Sequence, residues 1–150
     1  MQRRELDLPN LDAVLQDVQR LHAQGCQKVG QWDLAQACAH MSIPINQSID
    51  GFTFQVPWLL RLLGRTLIKK KLFRTRRIRA GLQAPANFVP EAGGDEQQAI
   101  NDLEQAIQRF RNHHGEYQLH PLFGRMSPRQ WHQFHTIHAM HHLSFLAPRN

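Results

Sequence analysis

Histidine is concentrated in one stretch near the C-terminus, which holds five of the chain's ten histidines between residues 127 and 146. Ser127 followed three residues later by Gln130 is typical of a helix start with a reciprocal cap. On such a helix, at about 100° per residue, His138 and His142 share a face with most of the aromatic side chains. Histidines four residues apart on one helical face can bind the same metal ion. The stretch therefore contains two candidate metal ligands.

Two buried imidazoles require partners, because burying such a polar group without one costs about 1–3 kcal/mol. The partners of His138 and His142 can be ordinary hydrogen-bonding groups, as for most core histidines, or a metal ion. The last helix by itself leaves both interpretations open, and a third ligand from another element would favour the metal ion. His135 lies at the edge of the same face, one turn earlier. It is a candidate hydrogen-bond partner of a ligand or a proton carrier.

Four predicted amphipathic helices must position these histidines, and each has one apolar stripe at helical spacing. By residue number they cover about 10–24, 32–49, 95–112 and 127–146. Asn10 and Asp95 suit two of the N-termini, and Pro44 should kink the second helix or restart it. On the last helix, the side opposite the histidine face carries Gln133, Thr136, Met140 and Ser144. No segment shows a convincing strand pattern.

The segment from about residue 51 to 94 is predicted to be an insertion. It contains a helix over about 57–73, and residues 80–94 have the composition of a loop. The long segment before the third amphipathic helix allows a crossover connection. The predicted fold is all-α: a four-helix bundle with a crossover and an inserted basic helix, in a single domain over residues 1–150.

The positive charge of the chain is local. The formal net charge is +6, from 18 basic and 12 acidic residues, but nine of the basic residues lie in 61–79, where no residue is acidic. The rest of the chain therefore has nine basic and 12 acidic residues, a net charge of −3. The amphipathic segment 57–79 could be a non-catalytic binding module for an anionic partner or a membrane surface, or simply a solvated helix face. The absence of a DNA-reading motif argues against a specific nucleic-acid partner, and exposed apolar residues would also suit a homodimer.

Two motifs resemble those of the DinB/YfiT-like superfamily of metalloenzymes. The stretch from Trp32 to His40 is similar to a Trp-x-hydrophobic…His-Leu signature near the start of that family's second helix. The pair His138 and His142 is similar to the His-x-x-x-His on its last helix. The ending His-Pro-Leu-Phe-Gly…Gln-Trp…His…His-His-Leu-Ser-Phe-Leu further resembles an uncharacterised branch of the superfamily. The resemblance covers residues 10–147.

Carried over by position, this resemblance implies that His40, His138 and His142 bind a divalent metal ion inside a four-helix bundle. Periodicity alone places His40 at the boundary or the surface of its helix. Zinc is the default ion for three imidazoles, and nickel, iron(II) and manganese are alternatives. Superfamily members include thiol-dependent transferases, isomerases and hydrolase-like proteins. The implied function is thus a metal-dependent transferase or hydrolase-like enzyme with an unidentified small-molecule substrate, for which a low-molecular-weight thiol is a candidate cofactor; a structural or silent site is the open alternative.

The remaining candidate groups lie in weaker patterns. His141 is off the histidine face and is expected to pack against a neighbouring helix, and His120, which precedes a proline, is expected in a turn. The last helix carries no carboxylate, so a general base would be Asp33, Asp50 or a metal-bound hydroxide.

The sequence is expected to belong to a cytoplasmic protein. Its N-terminus has no apolar segment typical of a signal peptide, and no run of about 18 apolar residues could span a bilayer. Cys26 and Cys38 do not form a C-x-x-C motif, and so few cysteines suit a reducing compartment.

Overall fold

The computed structural model describes residues 2–81 and 88–149, and within them the chain is mostly helical, as the all-α prediction requires. A π-helical turn, Gly64–Ile68, joins two of the helices into one continuous rod. The helices are α1 (Leu11–Gln24), α2 (Leu34–Asp50), α3 (Trp58–Leu63), α4 (Lys69–Thr75), α5 (Glu96–Arg111) and α6 (Pro128–Leu143).

The starts of the four long helices are encoded locally. The side chains of Asn10, Asp33, Asp95 and Ser127 each accept a hydrogen bond from the backbone N–H three residues later. These contacts satisfy N–H groups that have no partner within the helix. The predicted caps at the first and last of these helices are therefore confirmed.

The core lies where α1, α2, α5 and α6 meet. Helix α2 packs against both α5 and α6, and α1 contacts all three other helices. The fully buried apolar side chains come from every one of them. They include Leu11, Val14, Val18, Leu21, Cys38, Leu103, Ile107, Trp131 and Leu143.

Helix α2 runs without interruption through Pro44. The proline lacks the N–H that would donate to the carbonyl of His40 four residues earlier. Of the two predicted outcomes at Pro44, a kink or a restart, the restart is wrong, because packing against α5 and α6 holds the segment helical despite the missing bond.

A small sheet joins the ends of the first and last helices, so the prediction of no strand is wrong. Strand β1 (Cys26–Lys28) pairs antiparallel with β2 (Leu146–Pro148). Helix α6 consequently ends at residue 143 rather than at the predicted 146. Strands of three residues are too short for an alternating pattern, and their pairing depends on tertiary context rather than on local propensity.

The N-terminal residues cover the outer side of α6. The backbone N–H of Arg4 donates to the Ser144 carbonyl at 2.9 Å, and that of Leu8 points at the Met140 sulfur at 3.0 Å. The Arg4 guanidinium then bonds both carboxylate oxygens of Asp17 on α1. Met140 and Ser144, which the wheel places opposite the histidine face, are therefore buried.

The inserted helix at Trp58–Thr75 lies against the loop before α6. The predicted loop at 80–94 falls partly on residues 82–87, which lie outside the described residues. Among the helices described, none is both long enough and apolar enough to cross a membrane.

Candidate metal centre

Three imidazoles from α2 and α6 converge on one point. The Nε2 atom of His138 lies 3.2 Å from Nε2 of His40 and 3.1 Å from Nε2 of His142. The three ligand atoms all lie within 4.8 Å of one another, so this group could hold a metal ion. The structure thus brings together the three residues that the resemblance implies as ligands.

His40 is held from its far side by the backbone. Its Nδ1 lies 2.6 Å from the Phe88 carbonyl oxygen, and because a carbonyl can only accept, Nδ1 must carry the proton. The neutral ring therefore presents an unprotonated Nε2 to the other two histidines. This arrangement, a ligand nitrogen oriented by a hydrogen bond at the opposite nitrogen, is typical of metal-binding histidines.

The position of His40 differs from the one that periodicity predicts. His40 is only 4% exposed, whereas a boundary or surface position was expected. Every residue from Leu34 to Cys38 is also buried, because α5 and α6 pack on different sides of α2. A helix enclosed in this way has no single apolar stripe, so its periodicity does not distinguish inside from outside.

Aromatic rings fix the orientations of the imidazoles. Trp32 stacks on His142 with ring centroids 5.1 Å apart, and it lies tilted against His40 at 4.7 Å. Phe134, one turn before His138 on α6, stacks on that ring at 5.9 Å. His138 and His142 remain partly exposed, so the group is closed by apolar rings on some sides and accessible on another.

The surroundings keep these imidazoles neutral. Burial lowers the pKa of His40, against a smaller opposing effect of the bond to Phe88. Burial, and then the neighbouring imidazoles, lowers the pKa of His138 well below its usual range and that of His142 to about 2. Neutral imidazole is the form that binds metal ions.

Comparison with known proteins gives the family but no activity. The family described as "Protein of unknown function (DUF1569)" matches residues 1–149. The chain belongs to this family. Searches of the curated proteins and of the solved structures found no match to it.

His135 of this DUF1569 chain does not share the convergence point. Its Nε2 lies 3.4 Å from the Ser48 hydroxyl oxygen, and its ring stacks on Trp131 and meets Phe110 edge-on. Burial lowers its pKa to about 3. These contacts give His135 a packing role and a hydrogen bond to Ser48 rather than to a ligand, and its role as a proton carrier stays a prediction.

The other two histidines near the site have structural contacts. His120 Nδ1 accepts hydrogen bonds from the backbone N–H groups of Leu122 and Phe123, which is the turn expected for it. His141 packs against His142 and Phe145. Its Nδ1 also lies 3.2 Å from the Arg3 guanidinium, so these contacts are to its own helix, the residues just after it and the N-terminal segment, and packing against a neighbouring helix stays a prediction.

Both candidate general bases have partners outside the group of three imidazoles. Asp33 caps α2 through its bond to the Gln36 N–H, and Asp50 forms a two-point ion pair with Arg109. Cys38 is fully buried, and burial raises the pKa of its thiol.

Sequence reasoning missed the contribution of Phe88. Its carbonyl holds His40, and the next contact along the chain, from the Gln36 amide to the Pro90 carbonyl at 3.0 Å, fixes the same segment on α2. Every residue type has a backbone carbonyl, so no sequence signal could have revealed this hydrogen bond. Trp32 is part of the motif quoted above, but its stacking on two ligands was not foreseen.

Proposed function

We propose that His40, His138 and His142 bind one divalent metal ion and that the protein is a metal-dependent enzyme. The observation that carries this proposal is the convergence of three Nε2 atoms: those of His40 and His142 lie 3.2 and 3.1 Å from that of His138. Two ligands come from one helix four residues apart, and the third comes from a facing helix. This is the arrangement of catalytic rather than structural zinc sites, because three protein ligands leave a position for substrate.

Hydrogen bonding alone does not satisfy this arrangement. Because His40 carries its proton on Nδ1, its Nε2 can only accept, and the 3.2 Å contact requires that His138 donate. The single N–H of His138 would then have to serve His142 as well, at 3.1 Å. One N–H directs a good hydrogen bond to one acceptor only. A cation that accepts all three lone pairs removes the conflict.

The distances suit a small divalent ion. Zinc–nitrogen bonds of about 2.0–2.1 Å in tetrahedral geometry place ligand nitrogens about 3.3–3.4 Å apart. The two Nε2–Nε2 distances of 3.1–3.2 Å differ from that nitrogen–nitrogen distance by only a few tenths of an ångström. We therefore propose zinc as the ion, with nickel, iron(II) and manganese as alternatives that imidazole also serves.

The surrounding residues favour binding of an anionic group. Neutral imidazoles leave the charge of a bound divalent ion uncompensated, and the two aspartates considered above are engaged elsewhere. When bound, such an ion supplies Lewis-acid chemistry. Trp32 and Phe134 orient the imidazoles and exclude water from their faces. A substrate carboxylate or a thiolate of a small cofactor fits this environment.

We also propose that α1, α2, α5 and α6 form the four-helix bundle of the DinB/YfiT-like superfamily. The support is the pairwise packing of these helices and the positions of Trp32, His40, His138 and His142 in motifs like those of that superfamily. The activity that this likeness suggests is thiol-dependent transfer or hydrolysis.

Elemental analysis of the purified protein tests the metal site. We expect about one zinc ion per chain in the wild type and in His114→Ala, an exposed histidine on the loop after α5. We expect almost none in His40→Ala, His138→Ala or His142→Ala. Failure of the wild type to retain metal after incubation with zinc and with nickel would overturn the proposal.

The enzymatic half of the proposal needs a separate measurement. Turnover of small electrophiles with glutathione-like thiols is expected in the metal-loaded wild type and not in His138→Ala. Stoichiometric metal without turnover in a broad screen of thiols and esters would instead indicate a silent or structural site.

A further inference from the structure

Large apolar side chains are exposed along the first half of the inserted helix. Trp58 is 74% exposed and Leu67 is 67% exposed. The other large hydrophobic residues exposed on this helix are Leu59, Leu60, Leu62, Leu63 and Ile68. In the rest of residues 2–81 and 88–149, the large hydrophobic residues that are exposed are Val89 and Leu119. A contiguous set of this kind marks an interaction surface rather than scattered surface residues.

The helix is attached firmly by its other side. A Cβ on Gly64 would lie 2.5 Å from atoms of Leu122, so the two segments are in the closest contact a backbone allows. Leu72 is buried, and the Lys69 ammonium donates to the Arg125 carbonyl at 2.7 Å. The exposed apolar residues therefore lie on a helix that is fixed to the body between Gly64 and Leu72.

The π-helical turn sets which residues contact the body. Gly64 and Leu72 are eight residues apart and would lie about 80° apart on a regular α-helix. The wider turn, closed by the bond from the Lys69 N–H to the Gly64 carbonyl, brings both to the side that contacts the body. The exposed residues between Trp58 and Ile68 are mostly apolar and lie on all sides of the helix, whereas those from Lys70 to Thr75 are mostly lysine and arginine.

The positive charge of the inserted segment indicates an anionic partner. Residues 51–90 contain no aspartate or glutamate, and 61–79 contain nine lysines and arginines. Lys70, Lys71 and Arg74 are exposed beside the apolar set. A second copy meeting the same face would place two such cationic segments against each other, which is unfavourable. Nucleic acid would suit the charge but not the exposed leucines.

We propose that the helix from Trp58 to Thr75 docks the protein on an anionic membrane surface. Its apolar half enters the boundary between headgroups and acyl chains, where tryptophan is favoured. Its basic half, continued by Arg77 and Arg79, contacts the headgroups. The protein lies on the bilayer and does not cross it.

Vesicle sedimentation tests the charge requirement. The full-length protein is mixed with phosphatidylcholine vesicles with and without 30% phosphatidylserine, a composition chosen to be about one-third anionic. The variant Lys70→Glu/Lys71→Glu is compared with Lys28→Glu/Arg149→Glu, whose residues are exposed at the sheet. Each pair lowers the formal net charge from +6 to +2. We expect binding to the anionic vesicles only, at least about a tenfold loss in the first pair, and less than about a twofold change in the second.

The apolar contribution has its own readout. Leu62→Ser/Leu67→Ser should bind the anionic vesicles at least about fivefold more weakly, while Leu119→Ser, another exposed leucine, should not change binding. Tryptophan emission should shift to shorter wavelength on binding in the wild type but not in Trp58→Phe. Circular dichroism confirms that these surface variants are folded.

Several results would overturn the membrane proposal. One is no binding to anionic vesicles; another is equal losses in the two charge-reversal pairs, which would indicate attraction by net charge alone. Binding to polyglutamate or duplex DNA without vesicle binding would assign the face to an acidic protein or to nucleic acid. Self-association abolished by Leu67→Ser, without vesicle binding, would assign it to a second copy.

Discussion

The histidine site and the inserted helix both reverse the usual distribution of side chains between core and surface: the site buries polar groups, and the helix exposes apolar ones. At the site, three imidazoles face one another in a largely apolar setting. On the helix from Trp58 to Thr75, leucines face solvent and lie next to lysines. Both arrangements are costly for an isolated chain: the first leaves lone pairs without donors, and the second leaves apolar surface in water. Both features support the two proposals above, in which each region binds a group that the chain does not supply.

The two regions also differ in how they are coupled to the rest of the fold. His40 is surrounded by buried residues of α2, so changes at the site should alter the stability of the whole molecule. The apolar side of the inserted helix contacts little, and its residues should contribute almost nothing to folding. The following predictions test this difference, from the largest expected effect to the smallest.

Metal addition should stabilise the fold strongly. At a free zinc concentration about 1,000 times the dissociation constant, the gain is about 4 kcal/mol, which corresponds to roughly 8–16 °C in Tm for a chain of this size. Thermal unfolding with and without zinc should show this shift in the wild type and in His114→Ala. A shift that persists in His138→Ala would place the bound ion elsewhere.

Acid should destabilise the metal-free protein well above the pH at which its carboxylates titrate. Burial lowers the pKa of both His120 and His135 from 6.5 to about 3. As the pH falls below 6.5, these two imidazoles take up protons in the unfolded chain, whereas in the folded chain they do so only near pH 3. The free energy of unfolding therefore decreases over this range. These two groups together should remove about 2–3 kcal/mol between pH 6.5 and 5.5.

Urea unfolding at several pH values checks this expectation. The loss should be smaller by about 1 kcal/mol in His135→Phe, relative to that variant's own stability at pH 7.5, because one of the imidazoles with a lowered pKa is removed. A free energy of unfolding that does not change between pH 7.5 and 5.5 would contradict it.

The attachment of the inserted helix depends on Gly64. Alanine at this position would place Cβ 2.5 Å from the Leu122 carbonyl oxygen, so the helix must shift, at a cost of about 1–3 kcal/mol in the free energy of unfolding. Gly94→Ala is the matched control, because its Cβ would meet nothing within 4 Å. Urea denaturation of both variants measures the difference, and equal stabilities would show that Leu122 can move aside.

The smallest effect is expected on the exposed side of the same helix. Leu67→Ala should change the free energy of unfolding by less than about 0.5 kcal/mol. Leu103→Ala, at a fully buried position of α5, should cost about 2–5 kcal/mol. If Leu67→Ala were as costly as Leu103→Ala, the leucine would be covered in solution, for instance by a second copy, and the proposed membrane face would be occupied.

Most helix positions were predictable because their signals are local. Asn10 and Ser127 act within three residues of themselves, and the buried stripe of α5 repeats at helical spacing. The pairing of β1 with β2 was not predictable, because it joins segments about 120 residues apart through backbone groups. The continuity of α2 through Pro44 was also missed, since tertiary packing there outweighs a local preference.

The sequence by itself determined which residues could act together within one element. It placed His138 and His142 on one face of α6, because helical geometry alone fixes residues four apart. It also concentrated nine basic residues in 61–79 and left that segment without acidic residues.

Only the tertiary structure decided what these residues meet. His40 and His138 are 98 residues apart, and their 3.2 Å contact depends on how α2 packs against α6. The tautomer of His40 depends on the Phe88 carbonyl, a group common to every residue type. The outward side of the inserted helix depends on the contact between Gly64 and Leu122. Distances of this kind arise from packing over the whole chain, for which periodicity within one helix carries no information.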